Sequence, residues 1–394
     1  MPVSIFRSLT GAALVAVCAA FPPAVQAGGL AGSYLAGRAA KYDSDFAAAA
    51  LYYTQALARD PKNPLLMENV VFAQLAMGQA EAAVPVAKRL LQTGARSQVG
   101  NVVIAGSHAM NGNFEAILAR DPALEAIHPL VDGLLQAWAH VGAGSVSNAL
   151  QAFDDLAEDE SLRPFVLYHR ALALASAGDY GGADALFAAD DGRLAALSRR
   201  AAIARVQILS QLGRNDDARA VLRDAFSDRL DPGLAALDAQ LSADETLAFT
   251  IAPTPRDGIA EVFFTLGSAL NGDTANDYVL MYARMAAALR ADHVDALLLS
   301  ASLLDHMGRH NRYSCPRCEY ICGYHGLHAA EMGRAEALRR AAKPEAAAEV
   351  LTQLSRAFPD QASVYVSLGD LLRQQEVSAG AAAAYDKALE YMSE

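Results

Sequence analysis

Tryptophan occurs once in the 394 residues, cysteine four times, and charged residues make up only 19% of the chain. Runs of β-branched residues are few, which argues against a sheet. The 53% of hydrophobic residues is dominated by alanine, a composition suited to close-packed helices. Beyond the N-terminal leader no segment is apolar enough to span a bilayer. No glycine-rich phosphate loop follows a strand, and neither a His-Glu-x-x-His helix nor a nucleophile elbow occurs. Paired acids such as Asp154-Asp155, Glu158-Asp159-Glu160 and Asp190-Asp191 read as solvated helix ends, because acid–base work needs a shared, partly desolvated cleft. No catalysis is expected, and no cofactor. Positive charge is scarce too: 32 Lys and Arg stand against 44 Asp and Glu, a net charge of −12. That balance disfavours nucleic acid and anionic membrane surfaces and leaves a basic or neutral polypeptide as the expected partner.

What the chain does have is a period. Gly78, Gly112, Gly144, Gly178 and Gly213 are spaced by 34, 32, 34 and 35 residues, and Ala83, Ala149, Ala183 and Ala218 follow four of them by five. A period near 34 makes each unit one helix pair that cannot bury its apolar face alone and therefore stacks on its neighbours. In the first unit Gly37 lies in one helix, Ala49, Tyr53 and Ala56 recur at i, i+4, i+7 in the next, and Asp60-Pro61 closes it. The last unit repeats the plan with Tyr365, Leu368 and Gly369, then Ala381, Tyr385 and Ala388. Small residues let two helix axes approach, and an aromatic ring fills the gap toward the next unit.

This pattern resembles the tetratricopeptide repeat (TPR) family, with Phe153, Phe187, Leu222, Leu351 and Tyr385 at its second-helix aromatic position. The resemblance covers most of 30–394 and implies an all-α, right-handed solenoid of about ten antiparallel helix pairs. The third unit has a truncated second helix, Asn113 to Arg120, before Asp121-Pro122. Asp231 to Pro255 is the poorest stretch, and Thr254-Pro255 reads as a joint. The expected organisation is a leader at 1–27, an N-terminal array at 28–230, a degenerate joint at 231–258 and a C-terminal array at 259–394. Asn271-Gly272-Asp273 suggests a turn longer than the consensus.

Residues 1–27 read as a cleaved secretory signal: Arg7, then an apolar stretch from Leu9 to Ala20, then Val25-Gln26-Ala27 as a cleavage site. The expected location is the periplasm. Acylation at Cys18 is disfavoured by the bulky Val17 before it.

One window departs from the rest. From Asp305 to Gly326 there is no alanine and no leucine, and Cys315, Cys318 and Cys322 are all the cysteines beyond the leader. With His325, their spacing has the ligand types of a zinc site, although only three residues separate the two ligand pairs. A redox-labile Cys315–Cys318 loop is an alternative, and with it a metal- or redox-responsive function. A third explanation is a local frameshift. One permitted codon choice for Arg312 to Cys315, read one base later into Pro316, encodes Asp-Ile-Ala-Val, ordinary text for a helix start. The repeat phase is intact on both sides, with Gly308 34 residues before Ala342. No metal is therefore assigned.

The resemblance implies that first helices line a concave groove that takes a peptide. Carried over by position, the groove presents Tyr34, Arg38, Lys41, Phe72, Trp138, Phe165 and Tyr168 in the N-terminal half. It turns polar past Arg200, ending with Glu336, Arg339, Arg340, Asp370 and Arg373. The expectation is an apolar-rich wall facing solvent, with an electropositive spot at Arg38 and Lys41. The function expected is an exported scaffold or adaptor that binds a polypeptide in the bacterial cell envelope.

Overall fold

The computed structural model describes residues 29–189, 193–226, 230–308, 324–340 and 342–392. The leader at 1–27 and Cys315, Cys318 and Cys322 lie outside them. The described residues form 21 helices. The paired ones are α1 (Leu30–Tyr42) with α2 (Phe46–Arg59), α3 (Pro64–Ala76) with α4 (Ala80–Gln92), and α5 (Gln98–Met110) with the short α6 (Phe114–Leu118). Next come α7 (Pro129–Gly142) with α8 (Val146–Leu156) and α9 (Arg163–Ser176) with α10 (Tyr180–Ala189). The single turn α11 (Arg193–Ala196) precedes α12 (Arg199–Gln211) with α13 (Asn215–Phe226). A lone α14 (Pro232–Ser242) is followed by α15 (Pro255–Ala269) with α16 (Asn276–Leu289), then α17 (Val294–His306). The chain closes with α18 (Tyr324–Arg340), α19 (Pro344–Ala357), α20 (Ala362–Gln374) and α21 (Ser378–Met392). Together they make an all-α solenoid of about ten stacked antiparallel helix pairs.

The periodic glycines have a backbone reason. Gly78, Gly112, Gly144, Gly178 and Gly213 all have φ between 66° and 86°, the left-handed region that reverses the chain between the helices of one pair. Ser44, Ala342 and Glu376 hold the same turn in their pairs, with φ of 56°, 55° and 61°. Starts are encoded as locally. Asn63 accepts from the backbone N–H of Leu65 and Leu66 ahead of α3. Asp231 does the same for Gly233 and Leu234 at α14, and in both a proline occupies the first turn. The small-residue rule holds at both ends of the array, where Gly37 lies against the Tyr53 ring and Gly369 against Tyr385. Phe153, Phe187, Leu222 and Leu351 are buried between units.

The stack is not a simple line. After α14 the chain turns at Ala243 and Asp244, the latter at φ 58°, and runs without helix from Glu245 to Thr254 instead of forming a second helix. The following pair then leaves the stack: α15 packs on α5, α7 and α9, and α16 on α3, α4 and α5. The array has coiled far enough for its own later helices to enter the concave side of its earlier ones. One continuous apolar core therefore runs from Phe46 to Leu303, while the C-terminal pairs keep a separate small core around Ala347, Val350, Leu351, Leu354 and Phe358. Units therefore stack on their sequence neighbours, as expected, but not on those alone.

Candidate functional site

Most of the expected groove residues do not face solvent. Trp138 and Tyr168 are fully buried and Phe72 nearly so; Tyr34, Lys41 and Phe165 are half-buried, and Arg38 alone is exposed. The reading of an apolar wall facing water is therefore corrected, and α15 and α16 are the reason. Gly258 on α15 sits on the Trp138 indole so closely that a Cβ there would overlap the ring. Gly106 on α5 likewise lies under the Met285 sulfur of α16. Only glycine permits approaches this close. Lys41 is also engaged: its Nζ donates to Asn69 Oδ1 at 3.3 Å and lies 4.6 Å from the centre of the Phe72 ring.

A polar network locks α15 in place. Glu261, 1% exposed, accepts from Arg200 Nε of α12 at 2.8 and 2.9 Å and from the Tyr168 hydroxyl of α9 at 2.9 Å. Arg200 also donates to Asp295 at 2.9 Å. Burial alone would raise the Glu261 carboxyl, but the Arg200 guanidinium and the His293 ring outweigh it and hold it well below the usual carboxylate range. Burial and the facing Glu261 charge push the Tyr168 phenol well above its ordinary value. His293 accepts the Ala296 backbone N–H at Nδ1, capping α17, and its Nε2 stands 3.3 Å from Glu261. Burial, then Arg200, lowers its pKa, which favours the neutral ring.

Behind this network, Trp138 Nε1 donates to His169 Nδ1 at 3.2 Å. His169 is fully buried, its Nε2 has no hydrogen-bond partner, and burial lowers its pKa to about 4. On the neighbouring wall Gln98 Nε2 donates to the Ile127 carbonyl at 2.8 Å and to the Tyr282 hydroxyl at 3.0 Å, and contacts Tyr278. The arrangement is a mould for a helix pair, and the occupant is part of the same chain.

The C-terminal first helices present a different wall. Glu336, Arg339 and Arg340 on α18 and Val366, Asp370 and Arg373 on α20 are half-buried or exposed. Arg339 is paired with Glu336, Arg340 with Glu336 and the buried Asp305, and Arg373 with Asp370. Among the described residues no group of three or more His, Cys, Asp or Glu could hold a metal ion. No helix there is long and apolar enough to cross a membrane.

Sequence reasoning passed over Glu261, Gly258, His169 and Gln207. One signal was present: α15 reads Ile-Ala-Glu-Val-Phe-Phe, apolar on every side, and such a helix is surrounded by protein rather than laid on a surface.

Residues 332–392 match the tetratricopeptide repeat family. No curated protein matches the chain. Among solved structures, the TPR domain of P58(IPK) is 14% identical, with a TM-score of 0.25 over 92% of this chain and 93% of that one. A chain from Naa15/Naa10 bound to HypK-THB is 17% identical, with a TM-score of 0.25 over 92% and 63%. Tom70 from yeast is 13% identical, with a TM-score of 0.23 over 88% and 96%.

Proposed function

We propose, from the repeat match at residues 332–392 and the stacked helix pairs, that the chain is an exported scaffold that captures a polypeptide partner in the bacterial cell envelope. The coarse part of this reading, a repeat scaffold for protein–protein interaction, is supported by the stack of helix pairs and by the repeat match at 332–392. Its N-terminal inner wall is filled by α15 and α16, so the surface left for a partner is the wall of α18 and α20. The observation that carries this is the exposure of Arg339, Arg373 and Val366 within the repeats that match the family. A segment lying there meets paired charges of both signs and one apolar spot. The net charge of −12 favours a basic or neutral segment over an acidic one. Export is supported by the charged, apolar and small-residue order of 1–27.

Capture from envelope extracts tests the wall. The intact chain and a Val366→Asp, Arg373→Glu variant are used as baits, and the variant is expected to lose the partner while keeping its helicity. Equal recovery by both baits removes the wall from consideration. Mass spectrometry of the N-terminus from periplasmic and cytoplasmic fractions tests export; full-length chain confined to the cytoplasm sinks it.

A further inference from the structure

The extended link between α14 and α15 is bound the way a peptide is bound. Thr250 N–H donates to Gln207 Oε1 at 2.8 Å, and Gln207 Nε2 donates back to Thr250 Oγ1 at 2.8 Å. Leu247 N–H donates to Ser210 Oγ at 2.9 Å, and the Leu247 carbonyl accepts from Gln211 Nε2 at 2.6 Å. Arg290 Nη1 donates to the carbonyls of Thr250 and Ile251, both at 2.8 Å, and Arg200 reaches the Ile251 carbonyl at 3.3 Å. Most of these ties come from one face of α12, where Arg200, Gln207, Ser210 and Gln211 form a polar stripe. Gln207 and Ser210 are 3% and 1% exposed. Buried amides and hydroxyls are costly unless they are paired, so this stripe is built to be covered by main chain.

The side chains alternate as they would on a bound strand. Leu247, Phe249 and Ile251 point inward and are buried, while Ala248 and Thr250 are exposed. Leu247 enters the cluster of Val206, Leu209, Leu222 and Leu241, and Phe249 meets Tyr180 edge-on at 6.4 Å. Almost all the polar ties read backbone, and the one side chain they read is the Thr250 hydroxyl. The link and α15 share Arg200, but α15 has further holds that the link lacks. That helix is fixed by its own capping box of Thr254 and Asp257, by Glu261 on Arg200 and by Gly258 on Trp138.

We propose that the α12 face is a peptide seat filled in cis. In trans it takes an extended segment with large apolar residues at alternate positions and a hydroxyl residue between the second and third. The seat does not depend on the wall of α18 and α20, and either can fail alone. With the cis segment in place a competitor meets only the small fraction of molecules whose seat is open, and its apparent affinity falls by that fraction.

The test uses the full chain and a fluorescein-labelled peptide of residues 245–254. Phe249→Ala with Thr250→Ala weakens the cis segment, and this variant is expected to bind the peptide at least about tenfold more tightly than the unaltered chain. Adding Gln207→Leu is expected to abolish that binding. A cooperatively melting variant with no saturable binding, or binding indifferent to Gln207→Leu, overturns the proposal. If the variant does not fold, hydrogen exchange on the unaltered chain decides. Leu247 and Thr250 amides that exchange ahead of the α15 amides support an exchangeable seat; exchange only together with α15 overturns it.

Discussion

The first helices α7 and α9 and the first helices α18 and α20 occupy the same position in the same kind of repeat, yet they end in opposite environments. The former pair hides Trp138 and Tyr168 under α15; the latter keeps Arg339, Val366 and Arg373 in water. What separates them is a third party. A solenoid that coils through a full turn can bring a later pair onto an earlier concave face, and here that pair is apolar enough to stay. The inner wall of a repeat array is thus a binding surface only where the chain leaves it empty.

Breaking this contrast at its centre should have the largest effect. Trp138→Ala removes a fully buried ring and should cost about 3–5 kcal/mol in urea denaturation. A cost of a few tenths would mean that the wall is not sealed. Next comes Glu261→Gln, which leaves Arg200 buried against a neutral amide and should cost about 3 kcal/mol. Its C-terminal counterpart, Glu336→Gln on the exposed Arg339 and Arg340, should cost less than about 1 kcal/mol.

Acid should act on the sealed side. His169 has a folded-state pKa of about 4 against an ordinary 6.5, so the unfolded chain binds more protons between those values. Stability is complete above pH 6.5 and falls as pH drops toward 4, by about 3 kcal/mol for this group. Burial lowers His293 as well, which adds a loss of the same sign. The chain has one tryptophan and it touches His169, so its fluorescence, followed against pH, reports this interface directly. A flat denaturation midpoint from pH 7 to 4.5 would remove both histidines from the account.

Smaller effects sharpen the C-terminal half of the contrast. Ala342 holds a left-handed turn at φ 55°, and Ala342→Gly should stabilise by about 1 kcal/mol in thermal unfolding. Val366→Ser, on the open wall, should shift stability by no more than about 0.5 kcal/mol.

Much of the fold could be read from local pattern. The glycine period exists because one residue per pair must take positive φ, and the Gly–Tyr pairing repeats because two axes must approach. The truncated second helix at Asn113 is likewise present, as the five residues of α6. Ser44, Ala342 and Glu376 blurred the period because neighbouring packing imposes a conformation their own preferences oppose. The occupied groove escaped for a different reason. Positions on the repeat say which residues line the inside, and nothing local says whether that inside is filled. Only the uniformly apolar face of α15, interrupted by a single Glu261, hinted that protein would lie all around it.

The order of synthesis gives the filled wall one further consequence. Tyr168 and Glu261 are 93 positions apart, so a nascent chain carries α7 and α9 for a long stretch before α15 exists to cover them. At ribosomal rates of about 5–20 residues per second, that is several seconds with a bare aromatic flank. Any product terminated ahead of Pro255 keeps that flank permanently and should be sticky, short-lived and dependent on holding factors until it is degraded.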